Sequence, residues 1–443
     1  MTIGPRAVAG HAPRTAGQRE TAERRAGRAA PARSVARGGV RRERHAPDYA
    51  ILIAVVALGA IGILMVYSSS AMKAFLERDG NAMAVVGPQI QWAAIGLVAM
   101  LLVSRLDYRY LRLASIPAYG ISLVLLTLVF VPGLQRVVGG SARWLVLGPL
   151  PAVHPAEIAK LALVIYLAHW LSRRGPAIRT FRGGTLPFLL IVVPLAGLVF
   201  REPDLGTTTV LVLTAFTMVF VAGANLAHFA AMGALAVTTA IAVGLRGYQI
   251  DRIQAWLDPW AYPDTIGFHT IQGLYALSLG GFTGAGLGES RLAGGLFLPN
   301  ASNDFIFAII GEEFGFLGAS LVIGLFMLLA YAGIRTALRA PDTFGALLAA
   351  GITGWLCIQA FINIAVVVTL VPVTGITLPF ISAGGSSLTI SFAAVGVLLA
   401  ISRETVQRGS LNDAPVDRGR RNGRAHLPGP GRRPGVAQPS QRT

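Results

Sequence analysis

LPNASNDFIFAIIGEEFGFLG, Leu298–Gly318, sets one carboxylate, Asp304, at the mouth of an apolar helix. A charge at membrane depth is costly, so such an acid has a partner or serves chemistry. Glu312 and Glu313 follow two turns deeper. Outward from this stretch, apolar runs recur near residues 49–68, 89–104, 114–131, 155–171, 186–200, 206–222, 228–245, 306–334, 345–368 and 386–402. A span takes about 20 apolar residues as a helix, and lipid admits only helices or closed barrels. These runs are too long and too continuous for barrel strands. The expected fold class is an all-α polytopic membrane protein. It has about ten transmembrane helices, with a large extracytoplasmic loop, 247–304, between the seventh and eighth.

Composition agrees. Of 443 residues, 53% are hydrophobic and 13% charged, against about a quarter charged in soluble domains. The net charge of +17 sits mainly in two tails. Eleven Arg oppose three acids before Asp48, and nine Arg oppose three acids after Ser402. Rich in Gly, Pro, Arg and Ala and without apolar periodicity, residues 1–47 and 404–443 read as disordered basic cytoplasmic tails flanking a membrane domain, 48–403. Such tails suit anionic lipid; no aromatic residues interleave the arginines, so nucleic acid is not the expected partner. About forty polar residues precede the first apolar run, which does not read as a cleavable signal. The one cysteine, Cys357, allows no internal disulfide, and no metal-ligand spacing is present.

Charge sets the topology. Arg105–Arg112, Ser172–Arg182 and Arg335–Arg339 are short and basic, which places them in the cytoplasm. They follow the second, fourth and eighth spans, so both termini are expected to be cytoplasmic. The long loop is then external, and loops of that length usually carry function.

Four polar clusters fall on the outer side. In the first, Arg143 can grip phosphate as a bidentate fork, and Trp144 reads equally as an interface anchor. Glu157 and Lys160, three residues apart on one helical face, form either a structural ion pair or a binding group. In the second, REPDLGTTT, Pro203 and Gly206 break a helix beside Arg201, Glu202 and Asp204. This reads as a cavity lining or as a loop in which Asp204 caps the next helix. The third is the long loop, where Phe268–Leu279 reads as a half-buried helix and GAGLGE weakly resembles a phosphate-binding glycine run. In the fourth, Ser386 and Ser387 open the last span, as an anion-binding helix start or an ordinary cap. Asp304 too can simply cap its helix.

Taken together these stretches resemble the SEDS family of cell-wall proteins, typified by FtsW and RodA. The resemblance rests on MVYSSS (Met65–Ser70), GSARW with PAEIAK, EPDLGTT, RIQAWLDPW with IQGLYALSLGG, LPNASNDFIFAIIGEE, and TGITLPFISAGGSS, in that order from Tyr49 to about Arg403. It implies a peptidoglycan glycosyltransferase in a bacterial cytoplasmic membrane, acting on lipid II in division or elongation. The wording GITLPFIS and the basic tails lean toward the FtsW-like type. The family's essential acid falls on Asp304. Asn300, Ser302 and Asn303 depart from its usual neighbours, His154 stands where Gln is usual, and Arg291 is the only cation near Asp304 along the chain.

Arg143, Arg201, Lys160, Glu157, Ser386 and Ser387 are the expected substrate-binding residues. A divalent cation, Mg or Mn, would suit the leaving pyrophosphate, and no organic cofactor is expected. The implied partners are a class B penicillin-binding transpeptidase and other divisome or elongasome proteins. The eighth and ninth spans, through Leu321–Ala330 and Leu347–Ile358, are the expected docking face. Two alternatives lack bond chemistry: a lipid II flippase, and a scaffold that recruits the transpeptidase.

Overall fold

A computed structural model describes residues 42–406 except 45, 78–79, 139–140, 147, 149–150, 226, 229, 236–237, 239–247 and 299–300. Nearly all of both tails, and much of the expected seventh span at 228–245, lie outside the described residues.

The helices are α1 (Tyr49–Glu77), α2 (Val86–Arg105), α3 (Tyr110–Leu128), α4 (Pro155–Ser172), α5 (Leu186–Arg201), α6 (Leu205–Val221), α7 (Tyr248–Leu257), α8 (Phe268–Gly280), α9 (Arg291–Gly294), α10 (Ile306–Arg339), α11 (Thr343–Val367) and α12 (Gly385–Ser402). Among the described residues seven helices are long and apolar enough to cross a membrane: α1, α2, α3, α5 with its preceding turn, α10, α11 and α12. The mostly helical, polytopic reading therefore holds. Helix α4 carries Glu157 and Lys160 within an otherwise apolar run, and α6 is short but apolar.

Helices α11 and α12 form the centre, with 67% and 72% of their apolar windows buried, against 17% for α3. Helix α11 packs on α4, α6 and α10, and α12 lies along α2. That last approach is close because small residues face it: a Cβ on Gly96 would lie 2.7 Å from the Phe392 ring, and one on Gly396 2.7 Å from the Met100 carbonyl. Without a hydrophobic drive between helices in lipid, such close packing is what holds them. The expected docking segment Leu347–Ile358 is corrected here. Leu347, Leu348, Ile352, Trp355 and Leu356 are core, whereas Leu321 and Met327 of α10 stay exposed.

Ion pairs gather the basic segments at one end. Arg112 reaches Asp342 at 3.0 Å, Arg109 reaches Glu404 at 2.6 Å, and Arg335 lies 3.8 Å from Asp48. Tyr108 donates to Asp342 at 2.9 Å. The segments before α1, after α2, after α10 and after α12 thus share an end, as an even number of spans requires. Arg335–Arg339, expected as a connection, continues α10 as its last turns. At the same end β1 (Arg42–Arg44) pairs antiparallel with β2 (Glu404–Val406). Asp304 belongs to the opposite end: its carbonyl accepts from Asn363 on α11, about 20 residues and so about 30 Å along that helix from its start beside Asp342.

Candidate active site

Three successive carbonyls pin the turn that carries Asp304. Ser302 O accepts from Ala383 N at 2.8 Å, Asn303 O from Ser382 Oγ at 2.6 Å, and Asp304 O from Asn363 Nδ2 at 2.8 Å. Asn363 donates its other hydrogen to Ile376 O at 2.7 Å. The segment 371–384 is therefore clamped onto Asp304's turn, and Gln89 holds its far end through Ser382 O at 3.1 Å and Gly384 N at 3.2 Å. The N-cap position of α10 is Phe305, and no side chain caps it. The capping explanation for Asp304 thus fails.

The carboxyl group is half-buried beside Gly375, whose φ is +72°. A Cβ there would stand 3.9 Å from Asp304 Oδ2, so glycine suits both the left-handed backbone and the open approach to the acid. Burial pushes the Asp304 pKa up to about 6, against the opposing pull of its own backbone N–H and of Arg252. The cation that acts on Asp304 is Arg252, not Arg291. Arg291 gives its backbone N–H to Glu312 at 2.8 Å, and its side chain belongs to an exposed residue. Arg252 donates to Val373 O at 2.9 Å, and Trp256, one turn on, donates to Thr369 O at 2.9 Å. These two bonds seat α7 of the long loop over the segment 369–373.

A second cluster meets the same segment. Lys160 Nζ lies 2.9 Å from Glu157 and 2.7 Å from Gln359 Oε1, 5.1 Å over the Trp355 ring. Gln359 passes the connection on, donating to Thr377 O at 3.0 Å. Gln359 and Asn363, one turn apart on α11, hold adjacent carbonyls, 377 and 376. Thus the Glu157–Lys160 pair and Asp304 are braced by neighbouring residues of one segment. Ser387 Oγ is 3.4 Å from Thr377 Oγ1, and Ser386 Oγ accepts from His154 N at 3.4 Å. The two serines tie α12 to α4 and to the clamp.

Arg143 turns to the helix break, donating to Glu202 O at 3.3 Å and Pro203 O at 2.5 Å. Asp204 caps α6 through Thr207 N at 3.0 Å and also lies 3.7 Å from His154 Nε2. Glu202 is 1% exposed, and neither side-chain oxygen has a hydrogen-bond partner among the described residues. Burial first, then the Asp204 charge, raises its pKa to about 8, against the pull of Arg143. Arg201 is exposed, 5.6 Å over the Phe130 ring, and no hydrogen bond ties it to the other site residues among those described.

The glycine run GAGLGE does not cradle phosphate. Ala285 N donates to Glu312 O at 2.9 Å and Gly286 N to Glu313 O at 3.0 Å. In return Phe316 N donates to Gly281 O at 2.9 Å across a break in α10 at Gly315, φ +63°. The two glutamates order this loop: Glu312 accepts from Ser290 Oγ at 2.5 Å, and Glu313 accepts from Ser68 Oγ on α1. They are scaffolding for the long loop.

No set of three His, Cys, Asp or Glu side chains able to hold a metal ion occurs among the described residues. A protein-only metal cage is therefore absent from that region. Arg252, Gln359 and Asn363 were not singled out from sequence. The two amides at i and i+4 inside an apolar helix were the available signal.

The chain matches the family FTSW_RODA_SPOVE, described as cell cycle protein, over residues 49–407. It is 43% identical over 362 residues to stage V sporulation protein E of Bacillus subtilis, covering 82% of this chain and 98% of that protein. It is 40% identical over 356 residues to a Trichlorobacter lovleyi protein named probable peptidoglycan glycosyltransferase FtsW, covering 80% and 93%. Among solved structures it resembles a chain from a study of how a peptidoglycan synthase complex coordinates polymerization and crosslinking, with a TM-score of 0.66, 31% identity, and coverage of 81% and 98%. It also resembles the rod shape determining protein RodA of Thermus thermophilus, with a TM-score of 0.58, 30% identity, and coverage of 81% and 97%. With its whole membrane domain matched and its relatives this similar, the chain belongs to the FtsW/RodA/SpoVE family, the SEDS proteins that its motifs resemble.

Proposed function

We propose that this protein is a peptidoglycan glycosyltransferase that polymerises lipid II at the outer face of the bacterial cytoplasmic membrane. The observation that carries this reading is Asp304: a half-buried acid with its pKa near 6, fixed by three pinned carbonyls, at the end away from the basic segments. A sugar hydroxyl attacks the anomeric carbon of the donor. The bond from that carbon to the pyrophosphate oxygen breaks, and the hydroxyl proton passes to Asp304. A base with a pKa near 6 is mostly ionised at neutral pH yet retains proton affinity.

The negative charge that develops on the pyrophosphate calls for cations in a dry site. Arg252, which acts on Asp304, is the candidate together with Arg143, while the Glu157–Lys160 pair, neutral as a whole, braces the clamp through Gln359. Mg or Mn needs only one or two carboxylates when phosphates complete its shell, and Asp304 is the acid positioned to offer one. Arg201, Ser386 and Ser387 complete the proposed substrate-binding set, the serines by shaping the clamp.

In this reading ten spans cross the membrane, the seventh at 228–245, and the loop 247–304 lies outside. Both termini are cytoplasmic, in keeping with the shared basic end. A class B penicillin-binding transpeptidase and other divisome or elongasome proteins are the partners, with the exposed side of α10 as the docking face. The name FtsW on relatives favours a role in division. Purified protein with lipid II, with and without such a partner, tests the activity. Asp304→Asn should lower glycan synthesis by about 10²–10⁴ while the protein stays monodisperse. Wild-type glycan yield from that variant would end this assignment.

A further inference from the structure

At the basic end, a cavity of about 410 Å³ opens between the start of α1, the last turns of α10 and the end of α12. This is within the range of small-ligand sites, roughly 300–1,000 Å³. Its charged lining is mixed: Arg335 and Arg339 on one side, Asp48 and Glu404 on the other. The two arginines stand one helical turn apart on one face of α10, so both guanidinium groups can reach a single phosphate. Glu404 is engaged by Arg109 at 2.6 Å. Asp48 holds Ala50 N through Oδ1 at 3.0 Å, while its Oδ2 sits 3.8 Å from Arg335, outside hydrogen-bond distance. Among the described residues the cavity therefore offers two cations and one loosely paired carboxylate.

Its surroundings are those of the membrane boundary. Tyr49, which lines the cavity, is 60% exposed, and Ile53 one turn deeper is 61% exposed. On α10, Tyr331, Ile334 and Leu338 are also exposed. Helices α1 and α10 pack along each other, so apolar surface runs from the cavity along both. Arginines at such a boundary also snorkel without binding anything. A cavity closed by three elements, with an acid opposite the arginines, is more than that requires.

We propose that this cavity binds the phosphoethanolamine headgroup of a membrane phospholipid, with the phosphodiester on Arg335 and Arg339 and the ammonium on Asp48. The acyl chains lie along Tyr49, Ile53, Ile334 and Leu338. An anionic headgroup without an ammonium leaves Asp48 facing phosphate, a like-charge contact, and a choline headgroup has no N–H to donate. The lining thus selects an aminophospholipid.

Native mass spectrometry of the full chain, released from micelles containing equal phosphatidylethanolamine, phosphatidylglycerol and phosphatidylcholine, tests this. The wild type should retain phosphatidylethanolamine at least about tenfold over the other two. Arg335→Gln with Arg339→Gln should lose retention of all three. Asp48→Asn still caps α1, because Asn caps as well as Asp; it should keep phospholipid but lose the preference for ethanolamine. Glycerophosphoethanolamine at millimolar concentration should not compete, because it lacks the chains. Equal retention of the three lipids by the wild type would overturn the proposal, as would an Asp48→Asn protein with unchanged preference. Displacement by the soluble headgroup would overturn its assignment to lipid.

Discussion

Lys160→Met is the perturbation whose cost the structure defines best. The side chains of Lys160 and Glu157 are 3% and 8% exposed, with a 2.9 Å contact between them. Removing the lysine strands a buried carboxylate, which costs about 3–5 kcal/mol. It also takes one of two donors from Gln359 Oε1, leaving the Trp355 Nε1 bond at 2.9 Å, a loss of about 1 kcal/mol. Glu157→Gln strands the buried ammonium in turn, which keeps Gln359 and the Trp355 ring, so its cost falls at the lower end of the same range, about 3 kcal/mol. The double variant has no charge left to strand. Its cost should fall short of the sum of the singles by about 2–3 kcal/mol. Reversible unfolding of all four proteins in bicelles, read as a double-mutant cycle, measures this coupling. Additivity within about 0.5 kcal/mol would refute the buried-pair argument. Single variants that fold normally yet lose glycan synthesis would move the pair from scaffold to chemistry.

Other outcomes follow from the same geometry. Arg252→Gln removes the positive charge that pulls the Asp304 pKa down; the acid limb of the pH–rate profile should move to higher pH, and an unmoved limb would detach Arg252 from Asp304. Between pH 4.5 and about 8 the folded protein keeps a proton on Glu202 that the unfolded chain has lost, so this residue makes stability fall as pH rises through that window. Glu202→Gln should remove that fall and add about 4 kcal/mol at pH 7.5; melting curves at pH 5 and pH 8 check it, and a variant with wild-type pH dependence would contradict it. On a Cys357→Ser background, Thr265→Cys should react with an impermeant thiol reagent from outside intact cells and Ser410→Cys should not; the reverse pattern would invert the topology.

Much of the architecture was legible in the chain because lipid is a severe solvent. Apolar runs of spanning length leave only helices, and short arginine-rich connections mark one side. Hence α1, α2, α10, α11 and α12 fall where hydropathy places them, and the basic segments meet at one end. Asp204 as a cap and Glu157 with Lys160 as a pair were equally readable, since both depend on residues within one turn.

What sequence order alone does not carry is which distant polar group answers which. Near Asp304 along the chain the only cation is Arg291, yet Arg252 acts on it, because bonds to Val373 and Thr369 bring α7 over the clamp. The glycine run after α8 suggests an anion cradle until its amides are seen to be spent on carbonyls at the break in α10. Glu202 reads from sequence as one of three charges at a helix break, and only packing shows that it is the buried one without a hydrogen-bond partner among the described residues. Local pattern determined the helices and the basic connections, and it set Asp304 at the mouth of one of those helices. The tertiary fold alone decided its neighbours and its pKa, because burial and charge act through space and not along the chain.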